Sequence, residues 1–320
     1  MDYQITVKDI DQKKLYYYNN EWQKPVITEY QIFKLFNEQS TIPVDYFAFP
    51  WATMIDNIKN KKLYNFVSKY KIESTQCFTV MQHIYYFKYL DIIKQIGITH
   101  VFTPHKTINF LELEKKYGLK IISFSLYPAQ SIENFSLNIT NISSRKYLIS
   151  FIGQYNPKCY ISKIRNIIFD IYKNQSEYSD CLVKKRSEWH YECMVYGSSS
   201  STNKTNEQEY SENLLDTKFS LCPSGSGPNS IRIWESMSYG TIPVILADTL
   251  VLPEICNLNW SDYFILWEES EIDKLYEYLK TIETSKLIEL SNNCIRLYKD
   301  YFCPNKMNRI ILEYFQVINN

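Results

Sequence analysis

The chain has 320 residues, which at about 150 residues per domain suggests two domains. Hydrophobic residues make up 45% and charged residues 22% of it, an ordinary globular composition that excludes disorder as the main state. Lys+Arg and Asp+Glu both number 35, so the formal net charge is zero and the positive surplus that binds nucleic-acid backbones is absent. We therefore expect no nucleic-acid partner.

The N-terminal sequence has alternating charges and no apolar run of the kind found in signal peptides. No apolar stretch approaches the roughly 18 residues that span a bilayer. The cysteines include no CxxC pair, which indicates free thiols in a reducing compartment. His190 and Cys193 lack a second pair that would complete a zinc site, so we interpret them as structural. These features predict a soluble, cytoplasmic protein with no integral membrane segment.

The first half of the chain alternates short apolar runs with amphipathic segments, which is typical of βαβ units. The predicted strands are residues 45–49, 76–81, 100–103 and 120–126. The predicted helices are residues 85–95 and 110–117, and Gly97 and Gly118 stand where these helices should end. The pattern predicts one Rossmann-like layer. The Asn- and Ser-rich residues 134–145 that follow are the best linker candidate.

The second half repeats the alternation after that linker. Its predicted strands are residues 147–152, 218–222 and 242–246. Its predicted helices are residues 160–172, 210–216, 230–239, 273–279 and 284–319, the last broken near Pro304. Residues 197–208 are a polar, low-complexity run that predicts a mobile loop or an insertion. We therefore predict an α/β protein with domains at residues 1–143 and 144–320, whose final helix is a candidate to pack back on the first domain.

The segment 218–254 carries the most informative motif. A predicted strand leads into a loop with Gly225 and Gly227, and the loop opens a helix. In a chain with only seven glycines, two within three residues mark a point where the backbone needs them. Free backbone amides and the positive end of the helix dipole meet there, an arrangement that binds anions and most often phosphate. The short polar side chains that can cap the helix or donate to phosphate oxygens are Ser224, Ser226, Asn229 and Ser230.

Arg232 and Glu235 follow the loop in the predicted helix. A guanidinium in the first helical turn can hold a pyrophosphate through two parallel hydrogen bonds. Glu235, three residues later, lies on the same helical face, where its carboxylate can accept hydrogen bonds from the hydroxyls of a ribose. The alternative is an ordinary surface ion pair worth about 0.2–0.5 kcal/mol. The position directly after a glycine loop favours the ligand-binding interpretation.

Two general nucleotide-binding patterns fit this segment less well. The P-loop pattern GxxxxGK[ST] requires a lysine that is absent from the sequence. The dinucleotide pattern GxGxxG is partly matched by Gly225 and Gly227, with Asp248 about 20 residues later. This partial match to the dinucleotide pattern leaves an NAD(P)-dependent oxidoreductase as an alternative function. Ser230 replaces the third glycine of that pattern, and Pro228 stiffens the turn.

The same segment resembles much more closely the C-terminal motif of the exostosin family, glycosyltransferase family 47. The matching residues are Cys222, Pro223, Gly225, Ser230, Arg232, Glu235, Gly240, residues 242–245, Asp248, Leu252 and Pro253. An earlier element of the family, SF-x-G followed by an Arg, is matched by Ser150, Phe151, Gly153 and Arg165. The N-terminal half of the chain resembles the family only in its βαβ rhythm.

The resemblance implies the GT-B architecture, in which two Rossmann-like domains face each other across a cleft and the C-terminal one holds a nucleotide sugar. It implies an inverting, metal-independent glycosyltransferase that uses a UDP-sugar and no separate cofactor. For Arg165 the resemblance favours a role in holding the diphosphate over the alternative of a solvated helix residue. The acceptor would be a glycan or glycoprotein. The Asp9-Ile10-Asp11 triplet is not expected to bind a metal ion. A family member of this kind suits a virus or microbe that builds glycans in the cytoplasm, and a non-catalytic glycan- or nucleotide-binding module is a further alternative.

An inverting displacement requires a general base that takes the proton from the acceptor hydroxyl. We expect this base at the carboxyl ends of the N-terminal strands, where ligands bind in open parallel sheets. The candidates, in order of preference, are His83, His105 and Asp56, although each histidine taken alone fits a structural role equally well. Trp51 and Tyr127, also at strand ends, could stack on a sugar ring or pack in the core.

Overall fold

A computed structural model describes residues 7–10, 14–18, 21–24, 26–39, 42–58, 60–132, 141–174, 176–186, 200–255 and 258–319. Several residues named above lie outside these ranges, namely Asp11, residues 134–140 of the predicted linker, His190, Cys193 and residues 197–199. Within the described ranges, no helix is both long enough and apolar enough to span a bilayer.

The chain divides into two compact units. The first unit consists of Met1–Tyr127, Leu250–Cys256 and Pro304–Asn320. The second unit consists of Pro128–Thr249 and Asn257–Cys303. The first unit is therefore assembled from three separate stretches of chain, and the last of these contains the C-terminal helix.

Strands and helices alternate along most of the chain. The strands are β1 (Val7–Ile10), β2 (Leu15–Tyr18), β3 (Asp45–Ala48), β4 (Cys77–Val80), β5 (His100–Thr103), β6 (Lys120–Ser123), β7 (Tyr147–Gly153), β8 (Cys181–Lys185), β9 (Thr217–Pro223), β10 (Ile242–Leu246) and β11 (Ile265–Leu266). The helices are α1 (Thr28–Glu38), α2 (Trp51–Asn57), α3 (Asn60–Val67), α4 (Leu90–Gln95), α5 (Phe110–Tyr117), α6 (Ile164–Ile171), α7 (Ser200–Leu215), α8 (Ile231–Ser238), α9 (Ile272–Lys280), α10 (Thr284–Leu297) and α11 (Arg309–Asn319).

The first unit is built on a sheet in which β1 to β6 lie side by side in chain order. β1 and β2 are antiparallel, and the other neighbours are parallel. Tyr46 and Phe78 stack on one face with ring centroids 4.4 Å apart, and Phe36 of α1 and Phe315 of α11 each lie 5.6 Å from Phe78. Because side chains alternate along a strand, Phe47 points to the opposite face, into a core shared with α2, α3 and α4.

The second unit is built on a parallel sheet with the order β11-β10-β9-β7-β8. The chain begins at β7, adds β8 on one side, and then returns to add the other strands on the opposite side of β7. This is a doubly wound sheet whose strand order reverses between β7 and β9. Ligands of such sheets bind at the carboxyl ends of the strands beside the reversal, which here are Gly153 and Pro223.

The predicted α/β class is confirmed, since the chain forms two largely parallel sheets, the pair that GT-B architecture contains. The predicted loop at residues 197–208 is wrong from Ser200 onward, because helix α7 begins there. Ser200–Leu215 contains neither glycine nor proline, and Tyr210 and Leu214, one helical turn apart, pack with Tyr239 in a small apolar cluster. Burial of the helix face that carries these two residues therefore stabilises α7 in spite of its polar composition.

Gly97 and Gly118 follow α4 and α5, as predicted for residues that end helices. Both adopt left-handed backbone conformations, with φ of +99° and +63°. A Cβ at Gly97 would lie 2.2 Å from the carbonyl oxygen of Ile72, whereas a Cβ at Gly118 would have no neighbour nearer than the Lys94 Nζ at 3.8 Å. The two glycines therefore share a backbone conformation and differ in the space around them.

We expect Gly118→Ala to lower the free energy of unfolding by about 1 kcal/mol, the cost of a left-handed alanine. Gly97→Ala should cost at least about 2 kcal/mol more, because the backbone must also move away from the Ile72 carbonyl. Urea unfolding of both variants measures the difference. Equal losses would show that the Ile72 contact is not what requires a glycine at position 97.

Candidate functional site

The loop between β9 and α8 begins where the strand order of the second sheet reverses. The Gly225 N–H donates to the Gly227 carbonyl oxygen at 2.9 Å, so the loop folds back on itself. Ser230 is the N-cap residue of α8, but its side chain makes no capping hydrogen bond. The Asn229 side chain instead accepts a hydrogen bond from the Trp234 indole N–H at 3.0 Å. The sequence predicted that these polar side chains cap the helix or donate to phosphate oxygens. Capping of α8 by Ser230 is not observed.

Arg165 explains why position 225 is a glycine. Neither Gly225 nor Gly227 has a positive φ, so a left-handed backbone is not the reason for a glycine here. A Cβ on Gly225 would lie 3.0 Å from Nη2 of Arg165 and 3.7 Å from its Cζ. The glycine makes room for the close approach of the guanidinium.

The Arg165 guanidinium, carried by α6, is held by backbone carbonyls at the carboxyl ends of β7 and β9. Its Nε donates to the Ser224 oxygen at 2.8 Å and its Nη2 to the Pro223 oxygen at 3.4 Å. Its Nη1 donates to the Gln154 oxygen at 3.3 Å. The guanidinium also lies over the ring of Tyr160, with Cζ 4.6 Å from the centroid. These contacts fix Arg165 beside the glycine loop.

Arg232 lies in the first turn of α8, and its Nη2 donates to the Ile152 carbonyl oxygen at 2.5 Å. Arg232 and Arg165 both contact the ring of Phe151, with Cζ atoms 4.8 Å and 5.7 Å from its centroid. Burial, and after it the charge of Arg232, lowers the pKa of Arg165 to about 10. Within the described residues, neither guanidinium forms an ion pair with a carboxylate. Two guanidiniums thus contact one aromatic ring, and among the described residues no carboxylate lies at ion-pair distance from either.

Glu269, which the sequence analysis did not identify, lies next to the loop. The Ser224 hydroxyl donates to its Oε1 at 3.1 Å, and the Ser162 hydroxyl donates to its Oε2. The Glu269 N–H donates to Oδ1 of Asp248 at 3.0 Å, and burial raises the pKa of Glu269. Ser226, between the two glycines, is half-buried. Glu269 follows β11, whose two residues are too few to show the alternation that would have marked a strand end.

Glu235 is buried, with 3% of its surface exposed. Its Oε1 accepts a hydrogen bond from the Gln130 N–H and its Oε2 accepts one from the Tyr210 hydroxyl, both at 2.8 Å. Burial raises the pKa of Glu235 more than these hydrogen bonds and the charge of Arg232 lower it. The ordinary surface ion pair between Arg232 and Glu235 is therefore excluded. The contact of Glu235 with a ribose stays a prediction, and both of its oxygens already bind other segments of the same unit.

Two of the predicted base candidates contact each other at the carboxyl edge of the first sheet. His83 follows β4, and its Nε2 lies 3.0 Å from Oδ1 of Asp56, which is on α2. The Tyr85 N–H donates to Nδ1 of His83 at 3.0 Å. His105, after β5, is 6% exposed, and its Nδ1 has no hydrogen-bond partner in the described part of the chain. Burial, with the charge of His83 acting in the same direction, lowers the pKa of His105 to about 4.

The two aromatic candidates differ in accessibility. Trp51 is fully buried, and its indole N–H donates to the Thr79 hydroxyl at 2.8 Å. Of its two predicted roles, packing in the core is the one observed. Tyr127 is half-buried, and its backbone N–H donates to the Thr28 hydroxyl at 2.8 Å.

A buried carboxylate, Glu29, fixes the two segments that carry Asp56 and His83. Its Oε2 accepts a hydrogen bond from the Ala52 N–H, in the first turn of α2, at 3.2 Å. Its Oε1 accepts one from the Gln82 N–H, next to His83, at 2.9 Å. Burial raises the pKa of Glu29 to about 8, although these two hydrogen bonds lower it. The sequence analysis missed Glu29 because the helix that carries it was not predicted.

The raised pKa of Glu29 predicts a pH-dependent stability. Because its pKa is about 8 in the folded state and 4.5 ordinarily, the folded protein keeps a proton that the unfolded chain releases between those values. The stabilisation is complete below the ordinary pKa and is lost as the pH rises through the folded one. We expect Glu29 to lower the free energy of unfolding by up to about 1.4 kcal/mol per pH unit in this window.

Urea unfolding of the wild type and Glu29→Gln from about pH 5 to about pH 8 tests this expectation. The stability advantage of the wild type should decrease steadily as the pH rises, since glutamine does not titrate. An advantage that stays constant over the window would contradict the assignment.

A family model described as the Exostosin GT47 domain matches residues 79–282. Exostosin-1 homolog of Caenorhabditis elegans is 25% identical over 162 residues, which are 50% of this chain and 41% of that protein. Exostosin-1 of Drosophila melanogaster is 22% identical over 214 residues, which are 66% of this chain and 28% of that protein. The chain thus spans less than half the length of these relatives. Among solved structures, sucrose-phosphate synthase from Thermosynechococcus elongatus matches with a TM-score of 0.42 and 9% identity, over 76% of this chain and 67% of that one.

Proposed function

Because the chain belongs to the exostosin GT47 domain family, we propose that it is a glycosyltransferase that moves a sugar from a nucleotide-sugar donor to a hydroxyl of a glycan or glycoprotein. We propose a UDP-sugar as the donor. The observation that carries the proposal is the pair Arg165 and Arg232, whose guanidiniums both contact the ring of Phe151 and donate to carbonyl oxygens at the carboxyl ends of β7 and β9. A diphosphate is the part of a nucleotide sugar that such a pair would bind.

The guanidinium pair suits a diphosphate in charge and in hydrogen bonding. A guanidinium has five N–H donors, and towards other described residues Arg232 uses one and Arg165 uses three. The remaining donors can form parallel hydrogen bonds with phosphoryl oxygens. The N-terminus of α8, one residue before Arg232, adds partial positive charge at the same place.

Arg145 shows how a structural arginine is bound in the same unit. It is 4% exposed. Its guanidinium donates, at 2.6 to 3.3 Å, to the backbone oxygens of Leu214, Thr217 and Tyr239 and to the hydroxyl of Thr241. Arg165 and Arg232 are instead half-buried and adjacent. A structural role does not require two like charges to be brought together, because they repel. The contrast supports a ligand-binding role for the pair.

The reaction we propose is a single displacement with inversion. The acceptor oxygen forms a bond to the anomeric carbon while the bond from that carbon to the diphosphate breaks, and the electron pair leaves with the diphosphate. Negative charge grows on the leaving group, so Arg165 and Arg232 would stabilise the transition state more than the bound donor. Because these guanidiniums supply the positive charge, we propose that the reaction needs no metal ion and no separate cofactor.

Thermal unfolding with UDP, GDP and NADH tests the donor site. We expect UDP to raise the melting temperature of the wild type, since a ligand that binds the folded state stabilises it. Arg165→Ala and Arg232→Ala should each weaken UDP binding about 10- to 100-fold, the loss expected for charge-assisted hydrogen bonds. Arg186→Ala is the matched control, because Arg186 pairs with Glu209 in the same unit. A shift with NADH alone would favour the oxidoreductase, and equal UDP shifts in all variants would exclude this site.

Gly225→Ala tests the close approach of Arg165 without removing a charge. The added Cβ would lie 3.0 Å from Nη2, so the guanidinium must shift slightly and its hydrogen bonds to the Pro223 and Ser224 oxygens are disturbed. We expect UDP affinity to fall roughly 10-fold or more, with little change in stability. Gly118→Ala, in the first unit, is the control for a glycine-to-alanine change and should bind UDP normally. Unchanged affinity in Gly225→Ala would mean that UDP does not contact Arg165.

A further inference from the structure

We infer that Asp56 takes the proton from the acceptor hydroxyl and that His83 is a positioning residue for it. The inference rests on the proposed function and reverses the order of preference that the sequence suggested, in which His83 came first. It is carried by the hydrogen bonds of the two side chains and by their exposure to solvent.

Both ring nitrogens of His83 are already engaged. A neutral imidazole has one donor and one acceptor nitrogen. The Tyr85 backbone N–H can only donate, so Nδ1, at 3.0 Å from it, is the acceptor. The ring proton is therefore on Nε2, which donates to Oδ1 of Asp56 at 3.0 Å. In this arrangement the lone pair that a base would use is occupied by the Tyr85 N–H.

Asp56, unlike His83, can still accept a hydrogen bond from the acceptor hydroxyl. Its Oδ1 accepts the hydrogen bond from His83, and its Oδ2 accepts one from the side-chain amide of Gln23. A carboxylate has about four acceptor sites, and the described residues use two of those of Asp56, which leaves two for an incoming hydroxyl. The Asp56 side chain is 46% exposed and that of His83 is 10% exposed. An acceptor can therefore reach the carboxylate more readily than the ring.

The surrounding contacts hold Asp56 in one orientation. Glu29 binds the first turn of α2, which carries Asp56, and the residue before His83. The Gln82 side chain donates to Oε1 of Gln23 at 3.3 Å, and Gln23 in turn donates to Asp56. The carboxylate is thus supported from two sides by donors that are themselves fixed. Such an orientation is what a general base needs in order to act on a hydroxyl at hydrogen-bond distance.

The proton balance of the step follows from this assignment. The acceptor O–H proton passes to a free lone pair of Asp56 as the acceptor oxygen bonds to the anomeric carbon. The bond between that carbon and the diphosphate oxygen breaks, and its electrons leave with the diphosphate. Asp56 then returns the proton to solvent, which its exposure permits.

The first test is the protonation state of His83 in the unliganded 320-residue chain. Nitrogen-15 NMR of the imidazoles, assigned by comparison with His83→Gln, should show Nε2 protonated and Nδ1 unprotonated at neutral pH. A proton on Nδ1 in place of Nε2 would overturn the inference, because Nε2 would then be free to act as the base. This result does not depend on any substrate.

The second test compares turnover of a mixture of UDP-glucose, UDP-N-acetylglucosamine, UDP-glucuronic acid and UDP-xylose, with a mixed oligosaccharide pool as acceptor. We expect Asp56→Asn to lower kcat by about 10²- to 10⁴-fold, as for loss of a general base. His83→Gln, which keeps a donor towards Asp56, should lower kcat less than about 10-fold, and His83→Ala should lower it more, with KM for the donor unchanged in both. A His83→Gln defect as large as that of Asp56→Asn would overturn the inference.

Melting-temperature shifts with UDP separate this inference from the proposed function. All three variants should show the wild-type shift, because the substitutions lie in the other unit from Arg165 and Arg232. A wild-type chain that binds UDP but transfers no sugar would contradict the proposed function, and the inference with it. If the wild type and the Asp56→Asn variant both transfer sugar, the inference is contradicted and the proposed function is not.

Discussion

The second unit depends on an unusual electrostatic arrangement, in which two guanidiniums share one aromatic ring and bind backbone carbonyls. Arg165 and Arg232 repel each other, and burial adds a cost that appears in the lowered pKa of Arg165. The carbonyl oxygens of Ile152, Pro223 and Ser224 offset part of that cost. An anion bound by both guanidiniums would reduce their repulsion further. This electrostatic cost is the reason we propose the site for the diphosphate of a donor.

The topology of the sheet explains why these groups converge. β7 and β9 are neighbours in space and are separated along the chain by β8 and α7. Their carboxyl ends present adjacent carbonyls, and the helices that follow them carry Arg165 and Arg232. The same logic operates in the first unit, where the ends of β3, β4 and β5 bring Asp56, His83 and His105 to one edge. In both units the backbone path determines which side chains meet, and the local sequence determines their chemistry.

The sequence predicted what depends on local pattern and missed what depends on contacts distant in the chain. The limits of β5, β10 and α5 follow from short apolar runs and flanking glycines, and Arg165 and Arg232 were found from motifs. The helix predicted at residues 210–216 is the C-terminal part of α7, and the earlier part was missed because its polar sequence is stabilised by burial of a few side chains. Glu29 and Glu269 were missed because nothing in the neighbouring residues distinguishes a buried carboxylate from an exposed one. The orientation of the His83 ring depends on a backbone N–H, which no residue type encodes.

The discontinuous first unit has a consequence for biosynthesis. Its sheet is complete once β6 has been made, but Phe315, which packs against Phe78 and Phe102, belongs to the final helix. During translation that aromatic face lacks the cover of the C-terminal helix until the whole of the second unit has been synthesised. The nascent chain therefore exposes an apolar surface of the kind that chaperones bind during that time.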